Sequence, residues 1–191
     1  TPLAVSGALT ITDVDGAANF VAQANAAGTN GYGTFTLASN GAWTYTMNAA
    51  HNEFVAGTNY TDSLTAVAAD GTAQVVTVTI AGTNDAAVIA GVSTASLTES
   101  NVALSTSGTL TISDVDSATT FVAQAGTAGS NNYGTFTLAA NGAWTYTMNA
   151  AHNEFVAGTS YTDSFTAISV DGTTQVVSVT IAGTNDAAVI A

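Results

Sequence analysis

The chain is written twice. Residues 1–90 align with 102–191 without a gap, and 21 mismatches leave 69 of 90 positions identical. A repeat of this length constrains the fold more than any single motif, because what folds in one copy must fold in the other. The 191 residues therefore read as two domains, 1–86 and 87–191, with the first strand of the first domain truncated. Each copy is long enough for a small hydrophobic core. An apolar content of 47% argues for such cores and against disorder.

Within each copy the dominant pattern has period two. Leu9-Thr10-Ile11-Thr12, Thr34-Phe35-Thr36-Leu37, Trp43-Thr44-Tyr45-Thr46-Met47 and Thr77-Val78-Thr79-Ile80 put apolar groups on one face and threonines on the other. Threonine and aromatic residues suit half-buried strands. Asn40-Gly41 and Asp70-Gly71 separate such runs and read as tight hairpins. The expectation is an all-β chain of two tandem immunoglobulin-like sandwiches, about seven strands each. In the second copy the strands are expected near Leu97–Glu99, Gly108–Asp114, Phe121–Ala125, Tyr133–Ala139, Ala143–Met148, Ser164–Val170 and Gln175–Ile181.

Charge is the second constraint. There are thirteen Asp and Glu residues and no Lys or Arg, for a net charge of −13. That excludes binding to nucleic acid through its phosphates, and it disfavours anionic membrane surfaces. No apolar run approaches the roughly 18 residues of a membrane span, so no direct membrane insertion is expected. With no cysteine there are no disulfides, thiolate metal sites or thiol nucleophiles.

The acids recur in register. Asp13, Asp15, Glu53, Asp62, Asp70 and Asp85 return as Asp114, Asp116, Glu154, Asp163, Asp171 and Asp186, while Glu99 stands alone. Clustered like charge without a basic partner is costly, and oxygen-rich acidic sites suit a hard cation such as Ca2+. The strand directions sort Asp114, Asp116 and Asp171 to one end of the second copy. They sort Glu99, Glu154, Asp163, Asn185 and Asp186 to the other. Stacked head to tail, two copies would gather Asp62, Asn84, Asp85, Asp114, Asp116 and Asp171 at their junction. The Asp-Val-Asp pairs, Asp13 with Asp15 and Asp114 with Asp116, set two carboxylates on one side of an extended backbone, as chelation requires. A solvated turn is the simpler reading of each pair. For Asp70 and Asp171 the competing role is the hairpin turn, and for Asp62 and Asp163 it is a cap or turn. Glu99, Asn185 and Asp186 would belong to a further junction.

No catalytic residues are expected. His51 and His152 have no second His or Cys nearby in sequence, and there is no Gly-x-Ser-x-Gly motif. Trp43, Tyr45, Trp144 and Tyr146 alternate on a strand face and read as core. A glycan- or ice-binding module is the alternative function, carried by the threonine faces.

Leu9-Thr-Ile-Thr-Asp-Val-Asp15, Tyr32-Gly-Thr-Phe-Thr-Leu37, Asn40-Gly-Ala-Trp-Thr-Tyr-Thr-Met47 and Val76-Thr-Val-Thr-Ile-Ala-Gly-Thr-Asn-Asp-Ala86 together resemble the VCBS repeat, in two copies. The resemblance implies a cadherin-like β-sandwich, found in tandem in large bacterial surface proteins that include RTX-type adhesins. It further implies type I secretion, an extracellular location and Ca2+ at module junctions. Such modules act as extenders, so the implied partners are neighbouring repeats of the same polypeptide. Ala87 and Ala188 stand where that family often carries Pro, and the glycine-rich nonapeptide of RTX secretion regions is absent. The chain on its own is expected to be monomeric. The one competing idea is that Ala187–Ala191 fill the vacancy left by the truncated strand on a neighbouring molecule.

Overall fold

A computed structural model of the chain describes residues 3–188. It divides into two compact units, one ending at Asn84 and the other starting at Asp85. The division falls slightly upstream of the expected boundary. The amides of Asp85 and Ala87 are held by carboxylates of the second unit, at 3.3 Å from Asp116 Oδ2 and 2.9 Å from Asp171 Oδ2.

The first unit contains β1 (Ala4–Ala8), β2 (Gln23–Ala27), β3 (Gly33–Leu37), β4 (Ala42–Met47), β5 (Asn59–Val67) and β6 (Ala73–Ala81). They form a sheet ordered β1-β4-β3-β2 and a separate β5-β6 pair. The second unit contains β7 (Val88–Gly91), β8 (Thr94–Thr98), β9 (Ser105–Ser113), β10 (Gln124–Ala128), β11 (Gly134–Leu138), β12 (Ala143–Met148), β13 (Ser160–Ile168) and β14 (Thr174–Ala182). Here the sheets are β10-β11-β12-β9-β7 and β13-β14-β8. All pairings are antiparallel except β8 on β14.

The all-β expectation holds, and the alternation explains it. In β11 every second residue is buried, so Gly134, Phe136 and Leu138 face inward and the threonines outward. Phe136, Tyr146, Trp144, Val177, Val179 and Ile181 are fully buried between the two sheets. The expected hairpins form at both turn sites. Gly41 and Gly71 take φ of +87° and +92°, a region that glycine enters without steric cost.

Two departures matter. β7 was not expected, since Ala86-Ala87-Val88-Ile89-Ala90 lacks polar alternation and reads as linker. It pairs antiparallel with the far half of β9, Val88 opposite Ser113 through Gly91 opposite Leu110. The chain then crosses to the other sheet, where β8 runs parallel to β14. Gly91 makes the crossing possible. Its φ is +92°, and a Cβ there would lie 2.5 Å from the Thr109 carbonyl.

The second departure lies in the first unit. β1 corresponds only to the half of β9 that pairs with β12, and it pairs likewise with β4. Residues 9–12, equivalent to 110–113, have no strand partner and are not strand. Beside β6, where β8 lies against β14 in the second unit, there is an apolar groove of about 360 Å3 lined by Leu3, Val5, Tyr45, Met47, Val78 and Ile80. The same sequence is accordingly less well buried here. Trp43 and Val78 are half-buried, whereas Trp144 and Val179 are fully buried.

Gly91→Ala forces a Cβ into the Thr109 carbonyl at a left-handed φ. The expected cost to the second unit is about 2 kcal/mol, read as a lower melting transition of that unit alone.

Candidate metal centre

At the start of the second unit, three loops bring acids together. The Asp-Val-Asp pair follows β9, Asp171 sits in the β13–β14 turn, and Asp85 precedes β7. Asp114 Oδ1 accepts the amides of Asp116 and Ser117, at 3.0 and 2.9 Å. Its other oxygen is buried without a hydrogen-bond partner. Asp116 is 9% exposed; one oxygen accepts the Asp85 amide and the other is buried without a partner. Burial pushes the Asp116 carboxyl above its ordinary range, and the adjoining Asp114 and Asp85 carboxylates push the same way. Asp171 is held well below the usual range, first by the Ser169 hydroxyl, then by Thr173 and the Ala87 amide. Asp114 is likewise lowered by the amides it accepts, although the charge of Asp171 opposes this.

The first unit repeats part of this arrangement. Asp13 Oδ1 accepts the amides of Asp15 and Gly16, which lower its pKa. Asp70 accepts the amide and hydroxyl of Thr72 at 2.9 Å each. Asp13, Asp70 and Thr72 line one hollow of about 280 Å3. Asp15 is exposed, whereas its counterpart Asp116 is buried beneath the segment that carries Asp85 and Ala87. Asn84 is exposed at the end of this unit.

A second oxygen cluster lies at the far end of the second unit. Glu99 follows β8 and is 2% exposed. One of its oxygens accepts both the amide and the hydroxyl of Thr184. The other is buried without a partner, as is Asp186 Oδ2. Asn185 neighbours this site and is exposed. Sequence reasoning missed Thr184, Ser169 and Thr173, which brace these acids. Thr and Ser are so frequent on the strands of this chain that nothing set these three apart.

Asp62 and Asp163 depart from the expected metal role. Both are fully buried. Asp62 accepts the amides of Asn30, Tyr32, Gly33 and Ser63 and the Tyr45 hydroxyl. Asp163 repeats this with Asn131, Tyr133, Gly134 and Tyr146. Donor hydrogens occupy the positions a cation would need, so these acids close the loops before β3 and β11. The close approach requires glycine, since a Cβ on Gly28 or Gly129 would lie 2.0 Å from the carboxylate.

His51 and His152 are packing residues, as expected. His51 stacks on Phe54, which stacks on Tyr60. Its Nδ1 meets Glu53 at 2.7 Å, and its Nε2 meets the Tyr32 carbonyl and Asn48 Oδ1. With acceptors at both nitrogens the imidazolium is favoured. Its pKa is raised, chiefly by the hydrogen bond to Glu53, and that of Glu53 is lowered by the same bond.

Among the described residues, no three His, Asp or Glu side chains already converge on a common point at ligand distances. The residues nevertheless suit a hard cation. Four buried carboxylate oxygens lack partners, and all four belong to acids at the ends of the second unit.

Residues 1–82 and 84–183 match the family of bacterial cadherin-like domains, and the chain belongs to that family in two tandem copies. The match bears out the cadherin-like part of the motif resemblance and does not extend to the VCBS repeat specifically. No curated protein matches the chain. Among solved structures it is similar to a Ca2+-stabilized adhesin that helps an Antarctic bacterium reach out and bind ice. Identity there is 21%, over 97% of this chain and 44% of that one, with a TM-score of 0.29. A likeness this loose carries no argument about function.

In chelator, Asp116→Asn is expected to raise the melting temperature of the second unit, because it removes a charge that burial disfavours. Asp163→Ala is expected to lower its stability by about 3 kcal/mol, because several buried donors lose their acceptor. Calorimetry on the two variants reads both signs.

The His51–Glu53 pair gives a pH dependence. The raised histidine contributes stability in full below the ordinary imidazole value of about 6.5, and loses it as pH rises through the folded value. The lowered Glu53 contributes above about 4.3 and loses it as pH falls through its folded value. First-unit stability should therefore decline above about pH 6.5, and His51→Gln should flatten that decline in a melting series.

Proposed function

We propose that the chain is a pair of calcium-binding extender modules from a bacterial surface adhesin. The observation that carries this reading is the set of four buried, unpartnered oxygens of Asp114, Asp116, Glu99 and Asp186. A buried carboxylate oxygen without a donor costs stability. No lysine or arginine exists to relieve it. Calcium takes six to eight oxygens in flexible geometry, and carboxylates, backbone carbonyls and water all qualify.

Asp85, Asp114, Asp116 and Asp171 would hold one ion group, with Asp13, Asp15 and Asp70 as the first-unit equivalent. Glu99, Asn185 and Asp186 would contribute to another. When bound, the ion neutralises the acids and pins the connecting segment, residues 85–87, to the unit that follows it. A pinned connection stiffens a tandem array, which is the work of an extender. Membership of the bacterial cadherin-like family supports a structural, surface-exposed role. The VCBS-type motifs add type I secretion and RTX-type adhesins to the reading, and neighbouring repeats as partners. The threonine faces speak less for glycan or ice binding, because facing hydroxyls bond each other, as Thr137 does with Thr145 at 2.6 Å.

Calcium titration followed by calorimetry tests the reading. Affinities of extracellular modules lie at ~10⁻⁴–10⁻³ M. At a hundredfold excess over Kd one site adds about 2.7 kcal/mol. The second-unit transition should rise with calcium and rise less with magnesium, whose octahedral demand these mixed ligands meet poorly. Asp114→Asn with Asp116→Asn should remove most of the rise. A transition indifferent to saturating calcium would end the proposal.

A further inference from the structure

We infer that a second copy of this chain docks its Asp186–Ala191 segment onto the open backbone of residues 9–12 in the first unit. The second unit displays the same contact internally. There the segment Asp85-Ala86-Ala87-Val88-Ile89-Ala90 leads into β7, which forms a ladder with residues 110–113 of β9. Both halves of that contact recur in the sequence. Asp186-Ala187-Ala188-Val189-Ile190-Ala191 is identical to 85–90, and Leu9-Thr10-Ile11-Thr12 differs from Leu110-Thr111-Ile112-Ser113 only in its last residue.

In the first unit the receiving backbone has no strand partner. Leu9 is half-buried there, although its equivalent Leu110 is 1% exposed. The incoming Ala188 is exposed, although its equivalent Ala87 is 7% exposed and sits beneath two acceptors. Those acceptors give the contact its register. The amides of Asp85 and Ala87 donate to Asp116 and Asp171. Asp15 and Asp70 are the first-unit equivalents, so the amides of Asp186 and Ala188 have two waiting carboxylates. The ladder fixes direction, the two amide-to-carboxylate bonds fix position, and neither needs a metal. Because the two contacting surfaces differ, the association is head to tail and open-ended.

The contact is small and the chain carries a charge of −13, so association is weak and concentration-dependent. The monomer expected from the sequence then describes dilute solution only. Calcium should strengthen the contact, since docking adds Asp186 to Asp13, Asp15 and Asp70. That increment rests on the proposed calcium role, whereas the docking itself does not.

Sedimentation velocity on the whole chain, over a wide concentration range in chelator and again in calcium, tests the inference. The weight-average sedimentation coefficient should rise with concentration in at least one condition. Two tail substitutions past the last strand separate docking from nonspecific association. Ile89 is half-buried against the core, whereas Val88 is 66% exposed. Ile190→Asp should therefore weaken association about tenfold or more, and Val189→Asp should leave it nearly unchanged. Association in calcium alone that follows this pattern supports both the docking and the metal role. Association in chelator that follows it supports the docking whatever the metal does. A coefficient independent of concentration in both conditions, or equal effects of the two substitutions, overturns the inference.

Discussion

Each carboxylate in this protein must be held by something other than a basic side chain. That constraint follows from a composition with no lysine or arginine, and the structure meets it in three ways. Asp62 and Asp163 are enclosed by amides and a tyrosine hydroxyl. Glu53 and Glu154 pair with the histidines. The remaining acids gather at loop ends, where backbone amides and Ser or Thr hydroxyls satisfy some oxygens and leave others buried and bare. The first two solutions are complete within a unit. The third is incomplete, and the proposed calcium role grows from that incompleteness.

Placing the incomplete acids at the ends of a sandwich is physically consistent with an extender. Sheet interiors here are apolar and their outer faces are threonine, so neither offers a site for a charge. Loop ends do, and they are also where one module gives way to the next. A cation held by Asp114, Asp116 and Asp171 would act on the connecting segment itself, because Asp85 and Ala87 already lean on two of those acids.

The two copies show how far burial depends on neighbours in space. Trp43 and Trp144 occupy equivalent positions with identical flanking residues, yet only Trp144 is sealed. The difference comes from β7 and β8, which cover one edge of each sheet in the second unit. Asp15 and Asp116 differ for the same reason. One is exposed, while the other is buried with a raised pKa under the segment that carries Asp85.

Alternation of threonine with apolar residues, the two Asn-Gly and two Asp-Gly turns and the 101-residue offset were enough to set the all-β class, most strands and the division into two units. Periodicity and turn chemistry are local, and a single strand displays them in full. The Asp-Val-Asp pairs were legible for a similar reason, because two carboxylates two residues apart on extended backbone share a side. Tertiary structure alone decided that Asp62 and Asp163 face amide hydrogens and leave no place for a cation. It alone made a strand of Val88–Gly91 and recruited Thr184, Ser169 and Thr173 as braces. In each case the deciding partner lies many residues away, and no local pattern encodes which loop will close over which side chain.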